Sequence, residues 1–170
     1  MVLFYSQPHV PKNWPFGKVT PARGSVMIAP LSTKEEELAM PDHVRAFVSE
    51  RRWAVVGVSD DKSKFGRRIF ESMRSAGYEV VPVHPKLKTL DDGTPVFASV
   101  KDIPDPPAVV DLVVPPAATV QVVRDCLEAG IQGIWFQPGT ENPEAIKLAE
   151  DGGMDVVADG RCAMVEKRRW

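Results

Sequence analysis

Gly57, Val58 and Ser59 close a strand-like run and are followed by Gly66, giving a G-x-S-x6-G pattern whose chemistry is the holding of a phosphorylated ligand. A glycine directly after a strand lets backbone amides approach an anion, and a helix opening next presents amides without intrahelical partners. Ser59 and Ser63 add hydroxyls, and Lys64, Arg67 and Arg68 add cations on that helix. Between Gly57 and Lys88 stand seven Lys or Arg (62, 64, 67, 68, 74, 86, 88) against four acids (60, 61, 71, 79), a local +3 in a chain of net charge −2. The competing reading of the same residues is a solvated helix face capped by Ser63.

The pattern departs from the dinucleotide fingerprint G-x-G-x-x-G in two ways. Ser59 stands where the second glycine meets the pyrophosphate, and the second strand ends in Val83-His84-Pro85 with no carboxylate for ribose hydroxyls. Both departures count against NAD and favour a bulkier anion.

Other residues able to do chemistry are few. Cys162 follows Asp159-Gly160-Arg161 at a strand-to-helix transition, where an arginine and a helix start would lower a thiol's pKa. It is a candidate redox thiol, with structural burial the alternative. Cys126 shares a helix with Val122, Val123 and Leu127 and reads as a buried small residue. His84 reads as a locally hydrogen-bonded loop residue, with proton donation to a ligand the alternative. Trp135 and Phe136 read as core, or as the lining of a ligand channel, and Gln137 after them as ligand-facing. No metal-ligand spacing, Ser-His-Asp order or paired carboxylates accompany these residues, so binding is expected rather than autonomous catalysis.

Positioning such a loop requires strands and crossover helices. Strand-like runs are Trp53 to Val58, Glu79 to Val83, Val109 to Val114, Ile131 to Phe136 and Met154 to Val157. Helix-like runs lie at about Lys64 to Ala76, Pro116 to Ala129 and Pro143 to Asp151, each ending near a glycine (Gly77, Gly130, Gly152). A lead-in helix with Val44, Phe47 and Val48 on one face precedes them, and Thr33 to Glu36 resembles a capping box. The polar stretch from Lys86 to Pro107 replaces a second crossover helix and holds a short strand at Pro95 to Phe97. Near-continuous Val, Ile and Leu in the strands mark parallel strands buried on both faces. The expected fold is α/β: a single Rossmann-like, doubly wound, mainly parallel five-stranded sheet with helices on both faces and its ligand at the carboxyl ends of the strands.

Length fits one domain over residues 34–170, preceded by an extended arm over 1–33 that carries five prolines. The arm's Phe4, Tyr5, Trp14 and Phe16 suit packing along the domain, a second copy or a partner protein. Net charge gives no general attraction to nucleic acid, and no apolar run is long enough to span a membrane. Two cysteines and the lack of a secretory signal pattern lead us to expect a cytoplasmic protein.

Read together, AVVGVSDDKSKFGRRIFESMRSAGYEVVPVHP, DIP, VDLVVPP, GIQGIWFQPG, NPEAIKLAEDGGMDVVADGRC and Glu166 resemble the bacterial and archaeal CoA-binding domain proteins. That group is similar to the N-terminal CoA-binding domain of the succinyl-CoA synthetase α subunit. The resemblance spans about Arg51 to Lys167. It implies coenzyme A or an acyl-CoA as ligand, with contacts from Gly57-Val58-Ser59, from Pro85 and Lys86, from Val114-Pro115-Pro116 and from Gln137 to Gly139. His84 stands where the family usually has asparagine. The synthetases use a phosphorylated histidine in a second domain, for which we expect no counterpart here. A non-catalytic binding or sensing module is therefore the leading expectation, ahead of a subunit of an acyl-CoA ligase and of an NAD(H)-binding redox sensor.

Overall fold

The computed structural model describes residues 40–168. The expected arm, residues 1–33, and the capping box at Thr33 lie outside them. In chain order the elements are α1 (Asp42–Ser49), β1 (Arg52–Val56), α2 (Phe65–Ser75), β2 (Glu79–Val83), a 3-10 turn (Val100–Asp102), β3 (Val109–Leu112), α3 (Pro116–Glu128), β4 (Gly133–Phe136), α4 (Pro143–Asp151), β5 (Asp155–Val157) and α5 (Ala163–Glu166). All four strand pairings are parallel, in the order β2-β1-β3-β4-β5. Residues Trp53 to Val56, Val80 to Val83, and all of β3 and β4 are buried, as strands covered on both faces must be.

Local signals explain the helix ends. The Asn142 side chain accepts the amides of Glu144 and Ala145 ahead of Pro143, and α3 also opens on a proline. Helix α4 ends at Gly152 as expected, and Gly153 after it takes the left-handed conformation. One expectation needs correction. Ser63 does not cap α2, because its hydroxyl and amide both turn to Asp61 Oδ1 at 2.6 and 2.9 Å, and the cap residue is Lys64, which offers no side-chain bond. The short strand at Pro95 to Phe97 reduces to two isolated bridges, Val83 to Phe97 and Thr89 to Pro95.

One face of the sheet packs on α1, α2 and α5, with Trp53, Val55, Val80, Val109, Trp135 and Val157 against Phe47, Ile69, Phe70, Met73 and Ala163. Helices α3 and α4 pack together on the other face. Trp53, Tyr78, Trp135 and Phe47 meet edge-on or tilted at 5.8–6.0 Å, geometry that adds to the area they bury. Their polar atoms are satisfied: Trp53 Nε1 donates to Glu50 O, Trp135 Nε1 to Arg161 O and the Tyr78 hydroxyl to Val48 O.

Two features of this core bear on the carboxyl edge. Gly57, at φ 101°, lies so close to β3 that a Cβ there would sit 2.2 Å from the Val113 carbonyl oxygen, and a Cβ on Gly66 would sit 2.2 Å from the Gly57 oxygen. The start of α2 is thus seated directly on the backbone turn after β1. Asp111, fully buried on β3 opposite Val55 and Trp135, has Oδ1 bonded by Gln137 Nε2 at 2.8 Å and Oδ2 without a partner. Burial pushes this carboxyl up to about 7, with the Gln137 bond opposing.

Gly66→Ala is expected to lower stability by about 3 kcal/mol, read as a shifted urea midpoint, because backbone meets the new methyl from outside the helix. An unshifted midpoint would show that the turn yields. Asp111 gives the opposite sign at alkaline pH. Its folded pKa lies above the unfolded value of 3.8, so the stability it contributes is complete below about pH 4 and lost as pH rises to about 7. Asp111→Asn, which mimics the protonated acid, should match wild type near pH 4 and exceed it by on the order of 4 kcal/mol at pH 8. Parallel stability curves for the two proteins would remove the acid from this account.

Candidate functional site

Strand order reverses between β1 and β3, and in open α/β sheets the crevice beyond those two carboxyl ends is where ligands bind. The turn Gly57-Val58-Ser59 occupies one side. Gly57 N donates to Val83 O at 2.9 Å, the Val58 side chain enters the core, and Ser59 Oγ accepts the Asp61 amide. Facing it, Val113 N donates to Val56 O at 2.9 Å and leads into Val114-Pro115-Pro116, half-buried to exposed. The start of α2 opens onto the same edge with no side chain capping its first amides.

The stretch after β2 forms the rim. His84 N donates to Phe97 O, and the chain returns as a tight hairpin in which Val96 N meets Lys88 O and Leu90 N meets Thr94 O. The hairpin tip is clamped to the loop after β1. Asp91 N donates to Asp60 Oδ1, while the Asp91 carboxylate takes Lys62 Nζ at 2.8 Å and Arg67 Nη2 at 2.5 Å. Lys62 first and Arg67 second hold the Asp91 carboxyl down at about 2.

This clamp redistributes the cations counted in the sequence. Arg67, only 2% exposed, also pairs with Glu71 at 2.7 Å, so its buried guanidinium is committed to carboxylates that themselves lie at the surface. Arg74 pairs with Asp92. Asp91 and Asp92 lie three and four residues past the window counted above, and including them reduces the local +3 to +1. Lys64, Arg68, Lys86 and Lys88 are exposed and form no salt bridge among the described residues, Lys64 acting on the Asp61 carboxylate only at longer range and Arg68 lying 5.4 Å over the ring of Phe65.

The remaining expected residues fall at different depths. Pro85, Lys86, Pro115, Pro116 and Gly139 are exposed along the edge, and the Gly139 amide donates to Glu141 Oε2 at 2.6 Å. Gln137 is 3% exposed and turned inward to Asp111 rather than outward to a ligand. Trp135 and Phe136 are core. Burial first, and the Asp125 charge second, push the Cys126 thiol up to about 12, as an inert thiol requires. Cys162 is half-buried just ahead of α5, between Arg161, whose carbonyl oxygen accepts Trp135 Nε1, and the fully buried Ala163. Arg161 beside it already pairs with Asp159 and Glu166.

Asp91 and Asp111 were missed as members of this edge. The Asp92-Gly93 pair between short apolar-containing segments is a hairpin signal that would have placed Asp91 at a tip. An acid inside the Val109 to Val114 run was a visible anomaly of the same kind.

Comparison with known proteins bears on this edge. The family described as "CoA binding domain" matches residues 51–168. An uncharacterized protein, YneT, of Bacillus subtilis (strain 168) is 32% identical over 111 residues, covering 64% of this chain and 80% of that one. The ADP-forming acetate–CoA ligase II subunit alpha of Pyrococcus furiosus is 27% identical over 122 residues, and the match spans 65% of this chain but only 26% of that subunit. A solved hypothetical protein from Pyrococcus horikoshii OT3 superposes with TM-score 0.70 at 35% identity, over 75% of this chain and 90% of that one. With a five-stranded parallel sheet of order 2-1-3-4-5 and a family match over residues 51–168, the chain belongs to the CoA binding domain family.

Proposed function

We propose that the crevice beyond β1 and β3 binds coenzyme A or an acyl-CoA, and that the chain acts as a binding or sensing module without a reaction of its own. The observation that carries this reading is the set of cations left over once internal pairing is complete. Lys64, Arg68, Lys86 and Lys88 follow the carboxyl ends of β1 and β2 and form no salt bridge among the described residues, beside amides of α2 that no side chain caps. Coenzyme A carries a 3′-phosphate in addition to its diphosphate, and so offers such a set one anionic group more than NAD does. At the end of β2, where a dinucleotide site places an acid for the ribose, the chain has His84 and Pro85. A second reading is favoured by the likeness to the acetate–CoA ligase subunit: the chain would supply the CoA-binding part of an acyl-CoA ligase assembled with a partner.

Calorimetric titration with coenzyme A, acetyl-CoA, NAD and NADH tests the first reading. Coenzyme A should bind more tightly than either nicotinamide nucleotide, and its affinity should fall as salt rises. Tighter NAD binding would reverse the assignment. Turnover of coenzyme A with ATP and a carboxylic acid, alone or with a partner subunit, would decide for the second reading.

Two substitutions separate surface cations from buried ones. Lys86→Ala should weaken coenzyme A binding by about 1 kcal/mol, close to fivefold, with an unchanged melting temperature. Arg67→Met should instead cost about 2 kcal/mol of stability by leaving Asp91 and Glu71 without their buried partner. Equal effects of both on affinity and none on stability would refute this division.

A further inference from the structure

The turn that carries Lys86 is fixed at both ends and unsupported in the middle except by one side chain. On one side, Val83 O accepts Gly57 N and His84 N donates to Phe97 O; on the other, Lys88 O accepts Val96 N. Between these anchors Pro85 has no amide hydrogen. The amides of Lys86 and Leu87 both point at His84 Nδ1, each at 3.2 Å, across the turn at Pro85 and Lys86.

A ring nitrogen that accepts amides offers its lone pair to them, so these two contacts call for the tautomer with its hydrogen on Nε2. Asparagine, the residue expected here from the resemblance, would hold the same amides through Oδ1 in an Asx turn. Histidine keeps the acceptor while replacing the side chain. We propose that His84 is the positioning residue for Lys86: its Nδ1 gathers the Lys86 and Leu87 amides and so sets the direction in which the Lys86 ammonium meets a phosphate of the ligand. This rests on the coenzyme A reading above.

The test has one arm on the wild-type chain and one on variants. Nitrogen-15 spectra of the imidazoles at pH 8, with the His84 signals identified by their loss in His84→Asn, should give the Nε2–H tautomer. The Lys86 and Leu87 amides should be protected from hydrogen exchange. Coenzyme A is then titrated into wild type, His84→Asn and His84→Phe, each first checked by thermal melting. His84→Asn should bind within about threefold of wild type. His84→Phe, which fills the space without an acceptor, should lose about tenfold and show a flatter salt dependence, because Lys86 no longer reaches its phosphate.

An Nδ1–H tautomer, or unprotected amides at Lys86 and Leu87, overturns the proposal whether or not His84→Phe folds. Wild-type binding that is unchanged in His84→Phe overturns it while leaving coenzyme A as the ligand. A wild-type chain that binds no coenzyme A overturns the ligand reading and this inference together.

Discussion

The carboxyl edge of the sheet depends on a backbone-to-backbone contact that only two missing side chains allow. Gly57 presses against the Val113 carbonyl of the segment after β3, and Gly66 presses against Gly57 in turn. This stack joins β1, the start of α2 and the exit of β3 into one rigid corner. Because α2 is seated there, its first amides, Lys64 and Arg68 stand at the edge at all, and Ile69, Phe70 and Met73 reach the core below. In the dinucleotide fingerprint one glycine serves the ligand and another serves helix packing. Here Gly66 performs the packing role although it lies further along the chain, and Ser59 replaces the glycine that would serve the ligand.

A second constraint is electrostatic. The hairpin after β2 has no crossover helix to hold it, and ion pairs do that work. Asp91 at the tip binds Lys62 and Arg67 from the neighbouring loop and helix. The consequence is a division of labour among residues of one type: Arg67 and Arg68 are adjacent in sequence, yet one is enclosed by carboxylates and the other lies exposed over Phe65. Helical geometry causes this, since a step of one residue turns a side chain by about 100° and moves it from the buried side to the solvent side.

The parallel sheet, its five strands and its three crossover helices were legible in the sequence because apolar runs and punctuating Pro, Gly and Asn residues act locally. The turn at Gly57 was legible for the same reason. The burial of Arg67 was not, because Asp91 reaches it from a hairpin 24 residues on, a tertiary meeting, whereas Glu71 is a local partner one helical turn away. Gln137 looked like a ligand contact as a polar residue at a strand end, until the neighbouring strand supplied Asp111 as a buried partner. Ser63 looked like a cap, but Asp61 competes for its hydroxyl two residues away. Strand and helix type follow from periodicity, whereas the roles of polar side chains follow from which partner wins, near in sequence for Ser63 and distant for Gln137.

Tyr78 gives the domain a temporal property. Its hydroxyl donates to Val48 O, 30 residues earlier, and accepts the amide of Arg168, 90 residues later. Contacts of such separation carry a large loop-closure entropy and form late relative to local ones. On a ribosome, where the chain emerges from its N-terminal side, β1, α2 and β2 can associate while this hydroxyl still waits for its second partner. The part of the sheet face that α5 covers, where Trp135 Nε1 donates to Arg161 O, is therefore the last to close.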